Sequence, residues 1–133
     1  MNGKRDSIGS GGQLRHADLS YSVIGCAQRV HGRLGPGFPE SVYHRALCVE
    51  LAGVQVPFES EKVHDVSYKN SHVGQFRCDL VIDSKIVLEL KALPGLTTEH
   101  LAQALSYLKA SRLGLALLMN FGAKSLEFKR VVL

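Results

Sequence analysis

The sequence predicts an α/β protein, a mixed sheet with helices packed on it. Three observations carry this. Two amphipathic helical patterns fill residues 18–53, a series of alternating or aliphatic segments follows, and one further helical pattern interrupts that series near residues 97–110. The element order they imply is α-α-β-β-β-β-α-β-β, with the 3.6-residue and two-residue periods both present in one chain.

The chain opens on "MNGKRDSIGSGGQLR", residues 1–15, which is rich in Gly and Ser and has no apolar period. It predicts a disordered tail, and residues 16–133 predict a single folded domain. From Asp18 onward Val23, Ala27, Val30, His31 and Leu34 share one helical face, with Asp18 or Ser20 as the expected N-cap. "GPG" at 35–37 ends that helix, because Gly accepts a left-handed cap and Pro cannot continue. Pro39 suits the first position of a second helix and Glu40 its first turn, where the helix dipole favours a negative charge. Val42, Tyr43, Ala46, Leu47 and Leu51 form its apolar stripe, and Gly53 stops it.

Short strands are expected next. "VQVPF" (54–58) contains Pro57 and fits an edge strand at most. "KVHDVSY" (62–68) alternates, "KNS" (69–71) is a turn, and "HVGQFRCDLVID" with "KIVLELKA" form the two longest strands. Thr97 or Thr98 caps a helix running to about Ala110 with Leu101, Leu105 and Leu108 inward. "GLALLMNF" (114–121) is apolar throughout, as expected of a strand covered on both faces. "SLEFKRVVL" (125–133) alternates and closes the chain as an outer strand.

Composition sets the outer bounds. Of 133 residues, 45% are hydrophobic, enough for a core that needs no disulfide or metal staple. Cys26, Cys48 and Cys78 are odd in number and far apart, which predicts neither a disulfide framework nor a zinc site, but small core residues in a reducing compartment. The histidines show no zinc or metalloprotease spacing, and "GRLGPG" (32–37) lacks the Lys and Ser/Thr of a phosphate loop. No apolar run approaches the length of a membrane span and no signal-peptide pattern appears, so a cytoplasmic protein with no membrane partner is expected. The net charge is +4, half of it from Lys4, Arg5 and Arg15 against Asp6 at the N-terminus. Such a balance permits a nucleic-acid partner without requiring one.

The segment "CDLVIDSKIVLELKA" (78–92) carries the chemistry. Even positions Cys78, Leu80, Ile82, Ile86, Leu88 and Leu90 are all apolar, which predicts one core face. Odd positions gather Asp79, Asp83, Glu89 and Lys91 among Val81 and Val87. For both apolar sets to share a face, paired residue numbers must sum to an even value. A three-residue loop or one bulge therefore sets Asp79 opposite Glu89, whereas a two-residue turn would part them. Opposed carboxylates repel. On an open face they read as solvated surface charges; on a covered face they ask for a cation, and oxygen ligands without His or Cys suit Mg²⁺ or Mn²⁺.

Asp79 followed ten residues later by Glu89-x-Lys91 resembles the signature of the PD-(D/E)XK nuclease superfamily. "GPGFPESVY", "FRCDLVI", "VLELKAL", "QALSYLKA" and "LLMNFGAKSLEFKRVVL" more closely resemble the bacterial family of GxxExxY proteins, with Gly37, Glu40 and Tyr43 supplying that motif. The resemblance covers residues 17–133 and implies a restriction-endonuclease-like core, a mixed central sheet flanked by helices. It implies that Asp79, Glu89 and the Leu90 carbonyl bind Mg²⁺ or Mn²⁺. Lys91 would orient or activate the attacking water and steady charge on the phosphate. Glu40 matches the extra acid of the exonuclease branch and would join the metal ligands, while Gln103 and Tyr107 match its helical Gln-x-x-x-Tyr feature. The superfamily's Pro before the catalytic Asp is replaced by Cys78.

Apart from that resemblance, Glu40 reads as a first-turn helix acid and Tyr107 as a half-buried aromatic. The function expected is a metal-dependent nuclease hydrolysing phosphodiester bonds, with DNA ahead of RNA as partner. The alternative is a catalytically inactive nucleic-acid- or protein-binding module on the same fold.

Overall fold

A computed structural model describes residues 15–133. The tail expected over 1–15 lies outside the described residues except for Arg15, whose carbonyl accepts a hydrogen bond from Arg130 Nη2 at 3.0 Å. Two helices come first, α1 (Ala17–Leu34) and α2 (Glu40–Gly53). The strands are β1 (Phe58–Tyr68), β2 (Ser71–Ile82), β3 (Ile86–Lys91), β4 (Leu115–Asn120) and β5 (Glu127–Val132), with α3 (Thr98–Ser111) between β3 and β4. They form one five-stranded sheet in the order β1-β2-β3-β4-β5. Only β3 and β4 run parallel, and α3 is the crossover that such a pair requires. No helix among the described residues is long and apolar enough to cross a membrane.

The mixed sheet is thus as expected, with one strand fewer. Residues 54–57 form no strand; they turn the chain out of α2, with Gln55 in a left-handed conformation, and β1 starts only at Phe58. Pro57 has no N–H for a ladder, and its carbonyl accepts from Asp83 N–H instead. Two caps also differ. His16, not Asp18 or Ser20, stands at the start of α1, and Ser20 lies buried inside the helix with its hydroxyl donating to the Ala17 carbonyl. Pro39 is the residue before α2 rather than its first helical residue. The start of α3 follows the sequence: the Thr97 hydroxyl accepts from His100 N–H, and the His100 ring accepts from Thr97 N–H.

Each face of the sheet has its own core. Val23, Ala27 and Val30 of α1 and Tyr43, Leu47 and Leu51 of α2 pack on Leu80, Ile82, Leu88, Leu90, Leu117 and Met119. On the opposite face Leu108 of α3 meets Val81, Val87 and Ala116. Leu101 and Leu105 are only half-buried; Ala104 and Leu108 are the buried residues of α3, because a small side chain lets the helix sit close to the strands. With β3 and β4 covered on both sides, their unbroken aliphatic runs follow. Burying each such Leu is worth roughly 1.5–3 kcal/mol.

Candidate active site

The hairpin between β2 and β3 sets the register. Leu80 pairs with Leu88, Val81 with Val87 and Ile82 with Ile86, across the three-residue loop Asp83-Ser84-Lys85. Asp83 and Ser84 both take positive φ, and Lys85 N–H closes the turn on the Ile82 carbonyl at 2.8 Å. The next pair in this register is Asp79 with Glu89, the even-sum pairing that the apolar pattern requires.

At that pair the ladder stops and the strands separate. Leu90 N–H donates to Asp79 Oδ2 at 2.7 Å, and Asp79 N–H donates to Glu89 Oε2 at 3.1 Å. Two carboxylates thus stand where main-chain acceptors would be. Beyond the split β3 continues only with β4, while β2 leaves with β1 as a two-stranded ribbon. The Leu90 carbonyl leaves the same strand edge as its N–H and therefore faces the opening.

The alternation of faces also breaks here. Cys78 does not share the core face of Leu80 and Ile82, as strict alternation predicts; it packs with Val81, Val87 and Leu108 under α3. Opposite this point Glu61 of β1 takes a φ of 54° and drops out of the regular pairing between Ser60–Leu80 and Lys62–Cys78. The β1–β2 register is the same on both sides of this residue, so Asp79 faces a left-handed position without a shift in pairing.

Burial dominates the electrostatics. Glu89 is 5% exposed. Its carboxyl is pushed up to about 8, first by burial and then by the Asp79 charge, with the Asp79 amide and Lys91 opposing. Asp79 is raised by burial, against the Leu90 amide, His44 and Lys91. Glu40, at the start of α2, is exposed overall, yet burial of its carboxyl and then the Asp79 charge raise it. The Cys78 thiol is pushed up to about 12 by burial and by the adjoining acids, which makes it an inert packing residue.

The remaining expected residues lie on the α3 side. Lys91 Nζ donates to Gln103 Oε1 at 3.2 Å, so Gln103 holds the ammonium at the end of β3. Tyr107, one turn further along, stacks on Phe76 at 4.3 Å, and Phe76 stacks in turn on His64 at 5.1 Å. Its hydroxyl is raised by burial and then by the charge of Glu89.

Two neighbours escaped the sequence reading. His44 lies one turn beyond Glu40 and meets Ser60 Oγ at 2.8 Å. Its charge favours ionised Asp79, and that of Glu61 opposes it. Glu40-x-x-x-His44, one helical turn apart, was the available signal for His44. A third group acts behind the site. The buried Asn120 accepts from Leu93 N–H at 2.8 Å and Gly122 N–H at 3.1 Å, and donates to the Leu93 carbonyl and to Glu127 Oε1. It ties the chain just after Lys91 to the end of β4.

These oxygens fit a hard divalent cation. Neither Asp79 Oδ1 nor Glu89 Oε1 makes a hydrogen bond within the described residues, so each acid keeps one oxygen for a ligand. With the Leu90 carbonyl they present oxygen donors only, and a cation would relieve the repulsion between them. No three His, Cys, Asp or Glu side chains among the described residues converge as a ready metal group. Glu40 joins the pair through its field rather than through contact.

A half-buried Asp79 and a buried Glu89 thus meet at a strand split, with Lys91 two residues on. A family model described as the PD-(D/E)XK nuclease superfamily matches residues 17–131. The chain belongs to the PD-(D/E)XK nuclease superfamily. The crystal structure of SSO0001 is similar, with a TM-score of 0.57 and 17% sequence identity over 88% of this chain. The match spans 57% of the SSO0001 chain, and at that identity the likeness is one of fold. The search of curated proteins finds no match.

Proposed function

We propose that this protein is a Mg²⁺- or Mn²⁺-dependent nuclease that hydrolyses phosphodiester bonds, with DNA ahead of RNA, in the GxxExxY branch of its superfamily and in the cytoplasm. The observation that carries this is the split beside Leu80–Leu88, where Asp79 and Glu89 are held by backbone amides with Lys91 on the same strand. Asp79, Glu89 and the Leu90 carbonyl would hold the cation, and Glu40 would add its negative field beside them. When bound, that ion neutralises the acids, polarises the phosphoryl group and lowers the pKa of the attacking water.

The rest falls to the protein's own side chains. Lys91 places an ammonium against the charge that develops on the phosphate. Gln103 keeps that ammonium from swinging away. Tyr107 braces α3 against the ribbon through Phe76, which holds Gln103 in place. Glu40 and Gln103 are exposed on opposite sides of the split, which leaves the site open to a polymer.

The test is cleavage of single- and double-stranded DNA and RNA with Mg²⁺, Mn²⁺ or EDTA, by wild type and Asp79→Asn. Metal-dependent cutting by wild type that Asp79→Asn loses supports the reading. Binding without cutting under every condition would replace it with the inactive binding module.

A further inference from the structure

Gly37, Glu40 and Tyr43 recur three residues apart, and the structure gives this spacing a mechanical meaning. Gly37 takes a φ of 118°, a conformation that side chains resist. It turns the loop between α1 and α2 so that Pro39 can precede the helix and Glu40 can open it. Tyr43 is fully buried one turn later. Its hydroxyl donates to the Gly35 carbonyl and accepts from Phe38 N–H at 3.1 Å, closing the loop from both ends. Its ring stacks on Phe121 at 4.9 Å with 15° between planes. Phe121 N–H donates to the Lys91 carbonyl at 2.8 Å. One side chain thus ties the loop that launches Glu40 to the strand end that carries Glu89 and Lys91.

We infer that Tyr43 is a positioning residue, a latch that sets the distance between Glu40 and the Asp79–Glu89 pair. This rests on the reading of Glu40 as part of the cation site. A Phe at position 43 keeps the stack on Phe121 and loses the hydroxyl. The loop then loses both hydrogen bonds, and Glu40 loses its fixed starting point. Gly37→Ala disturbs the same loop without touching Tyr43, since no atom other than its chain neighbours lies within 4 Å of a Cβ built there and only the backbone is strained.

The experiment is calorimetric titration of Mn²⁺ into the metal-free full chain, for wild type, Tyr43→Phe, Glu40→Gln and the double variant. Tyr43→Phe and Glu40→Gln are each expected to weaken Mn²⁺ binding about tenfold. The double variant is expected to bind within about twofold of Glu40→Gln, because the latch acts through Glu40. Gly37→Ala is expected to repeat the Tyr43→Phe loss, and it carries the test if Tyr43→Phe fails to fold. Wild-type affinity in Tyr43→Phe, or a second tenfold loss in the double variant, overturns the inference and leaves the cation site standing. Wild-type affinity in Glu40→Gln, or no Mn²⁺ binding by wild type, overturns the inference together with the role given to Glu40.

Discussion

Glu89 bears the heaviest electrostatic load of any residue in the site. Its carboxyl sits near 8 in the fold against an ordinary 4.5. Between those values the folded state keeps a proton that the unfolded chain releases, so stability falls as pH rises through that window and levels off above about 8. Glu89→Gln is expected to flatten this fall in metal-free thermal melts. His16 and His64 are lowered and titrate with the opposite sign, and Asp79 and Glu40 are raised with the same sign, so the difference between the two proteins reports Glu89 together with its coupling to those two acids. An unchanged pH slope would mean that Glu89 is better solvated than the structure implies. Asp79, Glu89 and Lys91 were legible at this scale because strand parity and their spacing are local properties. His44 and Glu61 were not, since each reaches Asp79 only after α2 and β1 have folded beside it.

Among the elements, the end of β3 depends on β4. Asn120 is buried and uses all its hydrogen-bonding groups on the Leu93 backbone, Gly122 N–H and Glu127. Asn120→Ala leaves the part-buried main-chain groups of Leu93 and Gly122 without their side-chain partner and is expected to cost about 1–3 kcal/mol by urea unfolding. A loss near zero would show that water replaces the carboxamide. Gly122 is as constrained: a Cβ there would collide with the Leu93 backbone, so Gly122→Ala is expected to destabilise by moving the chain after Lys91. The β2–β3 register was readable in advance, because a slip of one residue would have exposed a row of Leu and Ile. The face switch at Cys78 was not, because it breaks the two-residue period, beside a left-handed Glu61 that no period encodes. The strand expected over 54–58 failed for a related reason: β-branched residues favoured it, and Pro57 could not join a ladder.

For the whole molecule, folding leaves acidic groups close together, and a bound cation would relieve them. Mn²⁺ is expected to raise the thermal midpoint of wild type by mass action, with about 2.7 kcal/mol of stabilisation at a hundredfold excess over Kd. Asp79→Asn is expected to abolish that response and, in EDTA above about pH 8 where Glu89 is ionised as well, to melt above wild type, because it removes one of two opposed charges. Melting below wild type in EDTA would assign Asp79 to the Leu90 hydrogen bond instead. The architecture was legible as two helices, a mixed sheet and a crossover helix, since amphipathic periods survive folding. The strand split that makes a site of it is a product of assembly.

The nuclease reading turns on Lys91. It shares a strand with Glu89 and reaches Gln103, and it belongs to no core cluster among the described residues. Lys91→Ala should therefore spare the fold and leave Asp79 and Glu89 free to bind metal. The decisive measurement is single-turnover cleavage of a labelled substrate by wild type and Lys91→Ala at saturating Mn²⁺, with Mn²⁺ affinity measured on both. Cleavage is expected to fall by roughly 10²–10³-fold, as for loss of one transition-state donor, with Mn²⁺ affinity nearly unchanged. Equal cleavage rates in the two proteins, or no cleavage by wild type, would contradict a catalytic role for the split strand.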